Sequence, residues 1–547
     1  MSSSNEPLIP PLAKSRTSLL PTRKPICLIL SLASLLSLAT FIAIQKPTIH
    51  HYSSSLRPSD LCGRAADPAA CGAIVSDAIA TLRPARPDPI QVLQAIIARS
   101  LLQLDTNIHR QSDVDLDPKS ALADCAGLLD LSRDRLLDSA SAVASGSYVD
   151  ARTWLSAVLT NHDTCIDGLL LAASSSSSLK LKANLDSLVA LASASLAVLN
   201  TIPPYDVKEV VNNFPSWLSV GDRKLLEAAV AANVTVAADG SGDYDTVQEA
   251  VDNAPSKGKS RYVIYVKNGT YEENVMVWKN KTNLMIVGDG GGSTVITGDR
   301  NVVDGWTTFN SATLAVVADG FILQDICIQN TAGPEKHQAV ALRVGGDRSV
   351  VNRCQLHGYQ DTLYAHSLRQ FYRGSTVSGT VDFVFGNAAV VLQECDLVAR
   401  LPMSKQKNLV TAQGRTDPNQ NTGTSIQSCR VVPGPDLVPP AREAVPTYLG
   451  RPWKNFSRTV YMESYIDGHV DPKGWLEWDG GFALDTLYYG EFANVGPGAG
   501  LAGRVNWTGY NVITDPDVAS RFTVAQLIQG GTWLQSTGVE YTEGLYL

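Results

Sequence analysis

The chain has 547 residues, more than the ~250–300 that one hydrophobic core usually serves, so at least two domains are predicted. Its composition, 44% hydrophobic and 18% charged with a formal net charge of −8, excludes global disorder. The acidic balance and the lack of a long basic run argue against a nucleic-acid partner. After residue 226 there are 25 basic and 33 acidic residues, so bulk charge alone should not hold this half to a polyanion.

The first 44 residues predict a targeting element. Residues 26–44 carry no charge and would be roughly 28 Å long as a helix, long enough to enter a membrane. Basic residues precede this stretch, which predicts a cytosolic tail at 1–25 and a lumenal position for the rest of the chain. We prefer an uncleaved signal anchor to a cleaved signal peptide, because the apolar stretch is long for the latter.

Residues 56–205 predict an all-α domain. The text is rich in Ala, Leu and Ser, and apolar residues recur at helical spacing, which indicates an up-and-down bundle. An oxidising lumen permits disulfides, and we pair Cys62 with Cys71 and Cys125 with Cys165. No cluster of ionisable residues here has catalytic or metal-ligand spacing, so this domain is predicted to be non-catalytic.

Residues 206–233 are predicted to be a linker. The basic pair Arg223 and Lys224 stands before an apolar pair, where a lumenal processing protease could cut. A plain solvated linker would have the same kind of sequence, so both interpretations stay open.

From residue 234 to residue 547 the pattern changes to short β-branched runs broken by Gly, Asn and Asp. The runs recur at irregular intervals without helical text between them, which favours the stacked coils of a parallel β-helix. Such a solenoid presents a long sheet face suited to a polymer. Four cysteines in this half have no pairing that spacing alone decides, and five Asn-x-Ser/Thr sequons indicate a secreted glycoprotein; the residues are Cys327, Cys354, Cys395 and Cys429, and Asn233, Asn268, Asn280, Asn455 and Asn506.

One spacing predicts a site on this face. Gln338, Gln360 and Asp382 recur at an interval of 22 in the sequence, and Asp361 precedes Asp382 by 21. On coils of that length these side chains would recur on one face, with adjacent strands about 4.7–4.9 Å apart. Two carboxylates so close cannot both ionise freely, so one should hold a proton as an acid while the other is a nucleophile. The spacing alone fits solvated surface residues equally well.

The sequence around these residues decides between a site and a solvated surface, because it resembles a known family. The segments GTYEEN at 269–274, QAVALR at 338–343, GYQDTLY at 358–364, GTVDFVFGNAA at 379–389 and LGRPW at 449–453 resemble, in order, the signature blocks of plant pectin methylesterases (pectinesterases). The likeness covers nearly all of 234–515. The helical half is similar to the pectin methylesterase inhibitor domain that precedes many such enzymes.

The resemblance implies a right-handed parallel β-helix, a four-helix-bundle inhibitor-like domain, and hydrolysis of the methyl esters of homogalacturonan without metal or cofactor. Asp382 would be the nucleophile and Asp361 the acid and base, while Gln338 and Gln360 would hold the oxyanion. Arg451 would pair with Asp382. The resemblance further implies sugar contacts by Trp453 and Thr308, and a protein that passes through secretory membranes to the cell wall.

Two alternatives to this function stay open. A β-helical pectin glycosidase could also use two close carboxylates, and a non-catalytic wall or inhibitor protein could share the fold. The sequence also departs from the family at Gly374 and Ser375, where the family commonly has Asp and Cys, and the resemblance implies that this cysteine often bridges to the position of Cys395. Without it, Cys395 would be free or paired with Cys429 or another cysteine.

Overall fold

The structure is a computed structural model that describes residues 56–82, 87–111, 117, 119–171, 176–203, 232–439 and 444–546. The predicted tail, the predicted anchor at 26–44 and the basic pair at 223–224 lie outside these residues. Within them, one helical stretch, Leu181–Leu199, is long and apolar enough to cross a membrane by length and composition. Half of that stretch is buried in the protein, which fits its place in a helical core.

The N-terminal part forms the predicted four-helix bundle, with two short helices in front of it. A shared apolar core, which includes Leu93, Leu129, Leu155 and Leu196, holds the helices together. The helices are α1 Pro58–Cys62, α2 Pro68–Thr81, α3 Pro89–Gln111, α4 Ala121–Ser145, α5 Tyr148–Leu171 and α6 Ser176–Leu199.

Capping residues explain where these helices begin and end. The Asp67 carboxylate accepts hydrogen bonds from two backbone N–H groups in the first turn of α2, and the Ser120 hydroxyl does the same for one N–H of α4. Helix α4 ends at Gly146, whose φ of 79° is left-handed, and α5 starts two residues later. The predicted disulfides Cys62–Cys71 and Cys125–Cys165 are confirmed, the second joining α4 to α5.

The C-terminal part is the predicted parallel β-helix. Its described strands form three sheets in which every pairing is parallel and successive strands of one sheet come from successive coils. Sheet 1 contains β1 Val234–Val236, β2 Tyr262–Val266, β5 Leu284–Gly288, β8 Ile322–Gln324, β11 Ser349–Asn352, β14 Arg369–Arg373, β17 Ala389–Gln393, β20 Gly423–Gln427, β23 Arg458–Met462, β25 Tyr488–Phe492 and β26 Tyr510–Val512.

The other two sheets complete each coil. Sheet 2 contains β3 Gly269–Glu272, β6 Thr294–Gly298, β9 Cys327–Asn330, β12 Gln355–His357, β15 Thr376–Gly379, β18 Asp396–Ala399, β21 Arg430–Pro433 and β24 Tyr465–Ile466. Sheet 3, which carries the predicted site, contains β4 Val275–Val277, β7 Leu314–Val316, β10 Leu342–Val344, β13 Leu363–Ala365, β16 Val384–Gly386, β19 Asn408–Gln413 and β22 Thr447–Gly450. Short helices lie outside the coils: α7 Val247–Asn253, α8 Pro516–Ser520 and α9 Val524–Leu527.

A single left-handed residue turns the chain from sheet 1 to sheet 2. In three coils this residue is Arg353, Gly374 or Glu394, with φ between 52° and 53°. The residue that follows is buried, so Ser375 stacks between Cys354 and Cys395. The Ser375 hydroxyl accepts a hydrogen bond from the Cys354 backbone N–H at 3.0 Å and donates one to the Arg373 carbonyl at 2.9 Å. Cys354, Ser375, Cys395 and Cys429 thus form a column of buried residues on successive coils, and serine fits this column through its hydrogen bonds.

All four cysteines of the β-helix are buried free thiols in this structure. Cys395 and Cys429 are neighbours on adjacent coils, because the Cys395 backbone N–H donates to the Cys429 sulfur at 3.3 Å. Burial, together with contact with Cys395, raises the pKa of the Cys429 thiol. The neighbours of Cys395 in the column are therefore Cys429 on one side and Ser375 on the other.

Candidate active site

Two aspartates occupy the same position on adjacent coils of sheet 3. Leu363 pairs with Val384 across β13 and β16, so Asp361 and Asp382, each two positions earlier, face one another in register. The Asp361 backbone N–H donates to the Val381 carbonyl at 3.0 Å, which ties the two turns together. Both aspartates have a left-handed backbone, with φ of 65° and 52°, a conformation that Asp tolerates better than most residues. Their spacing along the chain therefore does bring the two carboxyl groups together.

Arg451 holds one of the two carboxylates. Its Nε donates to Asp382 Oδ1 at 2.9 Å and its Nη2 to Oδ2 at 2.6 Å, a forked contact. The arginine follows β22 directly, and its backbone N–H donates to the Thr411 carbonyl at 3.0 Å. Its guanidinium also lies 4.3 Å from the ring centroid of Trp478. Asp382 is thus oriented by an arginine whose own position is fixed by the hydrogen bond to Thr411 and by the ring of Trp478.

The two carboxyl groups differ electrostatically. Burial, and then the negative charge of Asp382, raises the pKa of Asp361 well above its ordinary value. Burial also raises the pKa of Asp382, but the hydrogen bonds and charge of Arg451 oppose the rise. Only about 7% of Asp361 and 6% of Asp382 is exposed. The pair therefore favours a proton on Asp361 and a charge on Asp382.

The two glutamines lie near this pair but not in its register. Leu342 pairs with Leu363, so Gln360 stands opposite Ala339 rather than Gln338. The prediction that the glutamines stack at an interval of 22 is therefore wrong, because equivalent positions on these two coils are one residue closer together in the sequence. Within the described residues neither glutamine side chain makes a hydrogen bond, so both amides are available to a ligand.

An open groove of about 580 Å³ is lined by Gln360 and Arg451, the neighbours of the pair, but Asp361 and Asp382 do not line it themselves. Gln338, Thr308 and Trp453 are not among its lining residues. The full lining is His337, Gln360, Val381, Lys405, Gln406, Lys407, Leu409, Arg451, Leu476, Glu477, Trp478, Asp479 and Gly480.

Trp453 belongs to an aromatic strip beside the pair, defined here as Phe309, Tyr364, Phe385 and Trp453. Tyr364 and Phe385 stack at 4.1 Å on adjacent strands, and Trp453 meets Phe385 edge-on at 6.0 Å. A Cβ at Gly414 would lie 2.7 Å from the Trp453 ring, so only glycine lets the ring pack there. Thr308 precedes Phe309 in the loop before β7, and among the described residues it makes no hydrogen bond to either carboxylate.

The helical bundle covers this strip. Helix α5 and the strip enclose a cavity of only about 10 Å³, lined on the helix side by Thr160, Asp163, Thr164 and Asp167. Phe309 packs against both the bundle core and the strip. The open groove that Gln360 and Arg451 line has no lining residue from the bundle. The bundle therefore covers the aromatic strip but does not line the open groove.

Charged pairs join the two parts, mostly with acidic residues on the bundle. Asp167 bonds Lys454 at 2.6 Å, Asp134 bonds Lys279 at 2.7 Å, and Asp150 bonds Arg369 at 2.7 Å. One pair runs the other way, with Arg135 held by both oxygens of Asp319 at 2.7 and 2.8 Å. Removal of either side would leave several charges without partners.

Several residues of the site and the groove were not predicted from the sequence. Tyr364 and Phe385 are separated by the same interval as the aspartates, so the same spacing could have found them. Trp478, Lys405 and Lys407 come from loops with no periodic signal. Only the folded coils bring them to the groove.

Comparisons with known proteins agree with this geometry. A pectinesterase family model matches residues 233–531, and a plant invertase/pectin methylesterase inhibitor model matches residues 58–198. "Pectinesterase 2.1" of Solanum lycopersicum is 55% identical over 510 residues, which cover 90% of this chain and 92% of the relative. "Pectinesterase/pectinesterase inhibitor 18" of Arabidopsis thaliana is 47% identical, with both chains covered over their full length.

A solved structure, "Pectin methylesterase from Carrot", matches with a TM-score of 0.57 and 59% identity, covering 58% of this chain and 99% of that one. The chain belongs to the pectinesterase family and carries an inhibitor-type domain in front of the enzyme domain. It is a carboxylic ester hydrolase that acts on pectin. The family membership speaks against both the glycosidase and the non-catalytic alternatives.

Proposed function

We propose that this chain hydrolyses galacturonate methyl esters through Asp382 as the nucleophile and Asp361 as the acid and base. The observation that carries the proposal is the buried, in-register pair with Arg451 forked onto one member. An ionised Asp382 attacks the ester carbonyl, and the amides of Gln338 and Gln360 stabilise the oxyanion. Asp361 protonates the departing methoxide, so methanol leaves and an acyl-enzyme remains.

The second half of the reaction returns both groups to their starting state. Asp361, now ionised, takes a proton from water, and the resulting hydroxide attacks the acyl carbonyl. Collapse of the second tetrahedral intermediate restores the Asp382 carboxylate and releases the galacturonic acid unit, which loses its proton to solvent. The raised pKa of Asp361 suits this double role because its proton is present at the start and accepted again at the end.

Thr308 and Trp453 are proposed to contact the polymer rather than the ester. The Trp453 ring extends the strip that Tyr364 and Phe385 form, and sugar rings pack on such apolar faces. Since the strip lies under α5, a polymer can occupy this side only when the bundle moves away. This arrangement supports restraint of the enzyme by its own inhibitor-type domain.

We propose a division into tail 1–25, anchor 26–44, inhibitor-like domain 56–205, linker 206–233 and enzyme domain 234–547. In this scheme the precursor travels through the secretory membranes, a protease cuts at Arg223 and Lys224, and the enzyme domain reaches the cell wall. Replacing both residues by Gln in a plant expression host tests this scheme. We expect uncut, restrained precursor; an uncut protein with full activity and normal export would contradict it.

The catalytic proposal is tested by methanol release from highly methylated pectin, with polymer length followed in parallel. We compare the secreted enzyme with Asp382→Asn and with Asp485→Asn, an exposed aspartate that serves as the matched control. We expect methanol release without chain shortening in the enzyme and the control, and a loss of at least about 10⁴-fold in Asp382→Asn. Chain shortening, or an active Asp382→Asn enzyme, would overturn the proposal.

A further inference from the structure

Three arginines surround the loop between β19 and β20, residues 414–422, where helix α5 packs on the β-helix. Arg415 lies in this loop, Arg458 begins β23, and Arg152 comes from α5. We call these three residues the arginine cluster. Among the described residues none of the three guanidinium groups has a carboxylate within ion-pair distance. Because charges at buried positions are normally paired in proteins, the cluster lacks a counter-ion.

One glutamine holds two of the arginines together. The side-chain oxygen of Gln413 accepts a hydrogen bond from the Arg458 backbone N–H at 2.7 Å and from the Arg415 backbone N–H at 3.0 Å. The Arg458 Nε donates to the Thr422 carbonyl at 2.7 Å, and the Arg415 Nε donates to the Gln420 carbonyl at 3.1 Å. Both guanidinium groups therefore lie against the same loop.

Arg152 reaches this loop from the bundle. Its Nη2 donates to Asn200 Oδ1 at 2.8 Å, and the Asn200 amide donates to Asn419 in the loop at 3.2 Å. The next residue of the helix, Thr153, accepts a hydrogen bond from the Asn421 amide at 2.8 Å. The Arg152 Nε is buried and has no hydrogen-bond partner among the described residues. The bundle thus adds a buried donor without an acceptor, beside the loop that the other two arginines contact.

The three positive charges act on one another. Burial, and then the charge of Arg415, lowers the pKa of Arg458 well below its ordinary value, and Arg152 adds to this effect. Burial also lowers the pKa of Arg152, and it lowers the pKa of Arg415 to about 10. One acid, Asp417, opposes the fall at Arg415, but its own oxygens already accept hydrogen bonds from other residues of the contact. An anion bound among the arginines would relieve this repulsion.

Solvent reaches the cluster. Arg152 and Arg458 are half-buried, whereas Arg415 is buried. In the part of the chain that the structure describes, the two terminal nitrogens of Arg458 make no hydrogen bond, so they are free to donate. Guanidinium groups donate in pairs to the oxygens of phosphate and similar oxyanions. Three of them around one loop supply the donors and the charge that a doubly charged oxyanion requires.

We propose that the arginine cluster binds one small oxyanion, phosphate or sulfate, between the inhibitor-type domain and the enzyme domain. Arg152 belongs to the bundle and the other two arginines to the β-helix, so the bound anion bridges the two parts. It thereby holds α5 on the aromatic strip. The binding site does not depend on the proposed function, whereas its effect on access to the strip rests on the proposed restraint by the bundle.

Thermal unfolding of the full chain tests the site. The chain is melted in chloride, phosphate or sulfate at equal pH and ionic strength, which keeps general screening constant, and the helical circular dichroism band is followed. Arg152→Gln and Arg458→Gln are compared with Arg99→Gln and Arg430→Gln, exposed arginines of the bundle and the β-helix outside the cluster. Phosphate and sulfate also stabilise proteins in general through exclusion from their surfaces, an effect that all these chains share.

We expect about 10 mM phosphate or sulfate to raise the melting temperature of the parent and of both controls by about 2–4 °C more than that of either cluster variant. Each chain is compared with itself in chloride, so a lower basal stability of a variant does not decide the result. A response to only one of the two anions identifies the ligand. The proposal fails if neither anion acts, or if the cluster variants respond as much as the parent.

Equilibrium dialysis with labelled phosphate and labelled sulfate measures binding directly. We expect about one anion for each parent chain and, since charge-assisted hydrogen bonds are lost, an affinity at least about 10-fold weaker in Arg152→Gln. Arg99→Gln should bind like the parent. Equal affinity in the two variants would remove Arg152 from the site and with it the bridge between the domains.

Methanol release separates this proposal from the catalytic one. We expect the uncut chain to release methanol from pectin more slowly in phosphate or sulfate than in chloride, and the difference to disappear in Arg152→Gln. The secreted enzyme domain, which lacks Arg152, is the control and should show no such difference. If no form releases methanol, the catalytic proposal fails while melting and dialysis still decide on the site. An unchanged rate in the uncut chain with the anion bound would refute the bridging role.

Discussion

The β-helix and the helical bundle both bury aspartates, but they place them by different means and for different ends. In the β-helix, strand register sets Asp361 beside Asp382 on adjacent coils. In the bundle, acidic residues on one side of α4 and α5 reach across to basic residues of the β-helix, as Asp167 does to Lys454. Periodicity along a solenoid brings together the carboxylates of the proposed reaction centre, whereas a helix face builds a contact surface.

The comparison extends to protonation. Burial raises the pKa of Asp163 to about 7 and that of Asp124 to about 6 at the contact between the two parts. Burial acts on Asp361 too, but a second carboxylate adds to the rise in its pKa. One physical cause thus favours a proton on the proposed acid in one region and raises the pKa of carboxyl groups at the contact in the other.

After Asp382→Asn, the largest expected effect concerns Asp361, the proposed acid. Asp361→Asn keeps the size of the side chain but removes the proton donor and acceptor, so we expect kcat to fall about 10²- to 10⁴-fold. Methanol release measured across pH checks this, with Asp485→Asn as control. A variant that keeps a tenth or more of the parent rate would show that register alone does not define a catalytic pair.

The two disulfides of the bundle should differ in how much they add to the free energy of unfolding. Cys125–Cys165 closes a sequence separation of 40 and Cys62–Cys71 one of 9, so the chain-entropy relation predicts losses of about 4 and about 2.5 kcal/mol when each is replaced by two alanines. Urea unfolding followed by circular dichroism at the helical band measures both. Equal losses would mean that loop length does not govern this domain.

The contact between the two parts should weaken as pH rises. The pKa of Asp163 is raised from 3.8 to about 7, so the docked state holds its proton longer and loses this advantage between about pH 4 and pH 7. Thr416, Lys454, Asp167 and Asp417 face the same carboxyl group. We expect the helical melting temperature to fall between pH 5 and pH 7.5, and to fall less in Asp163→Asn.

Asp105→Asn is the control for that experiment, because Asp105 pairs with Arg133 inside the bundle. It should show the pH dependence of the parent chain. The same slope in Asp163→Asn as in the parent would remove Asp163 as the source.

The smallest expected effect concerns Ser375, in the column of buried residues that also contains Cys354 and Cys395. Ser375→Ala leaves the Cys354 N–H without a partner and removes the bond to the Arg373 carbonyl, so we expect a loss of about 1–2 kcal/mol. Denaturant unfolding checks it against Ser260→Ala, an exposed control. No measurable loss would indicate that this position contributes little to the fold.

Several features could be predicted from the sequence because they depend on local order. Apolar spacing predicted the long helices, and the positions of the cysteines, with a predicted lumenal setting, predicted both disulfides. Repeated β-branched runs determined the solenoid. Two continuous β-branched stretches, residues 321–330 and 390–399, each hold two strands, because a single left-handed residue turns the chain at the corner without a break in the apolar sequence.

The spacing of Asp361 and Asp382, together with the sequence around them, predicted the carboxylate pair that we propose as the reaction centre. The sequence by itself could not set the glutamines, since a shift of one position in coil length moves a side chain relative to its neighbour on the next coil. Nor could it show that α5 covers Trp453 or that Lys405 and Lys407 share a groove with Arg451. Those facts join residues far apart in the chain, and only packing between coils and helices decides them.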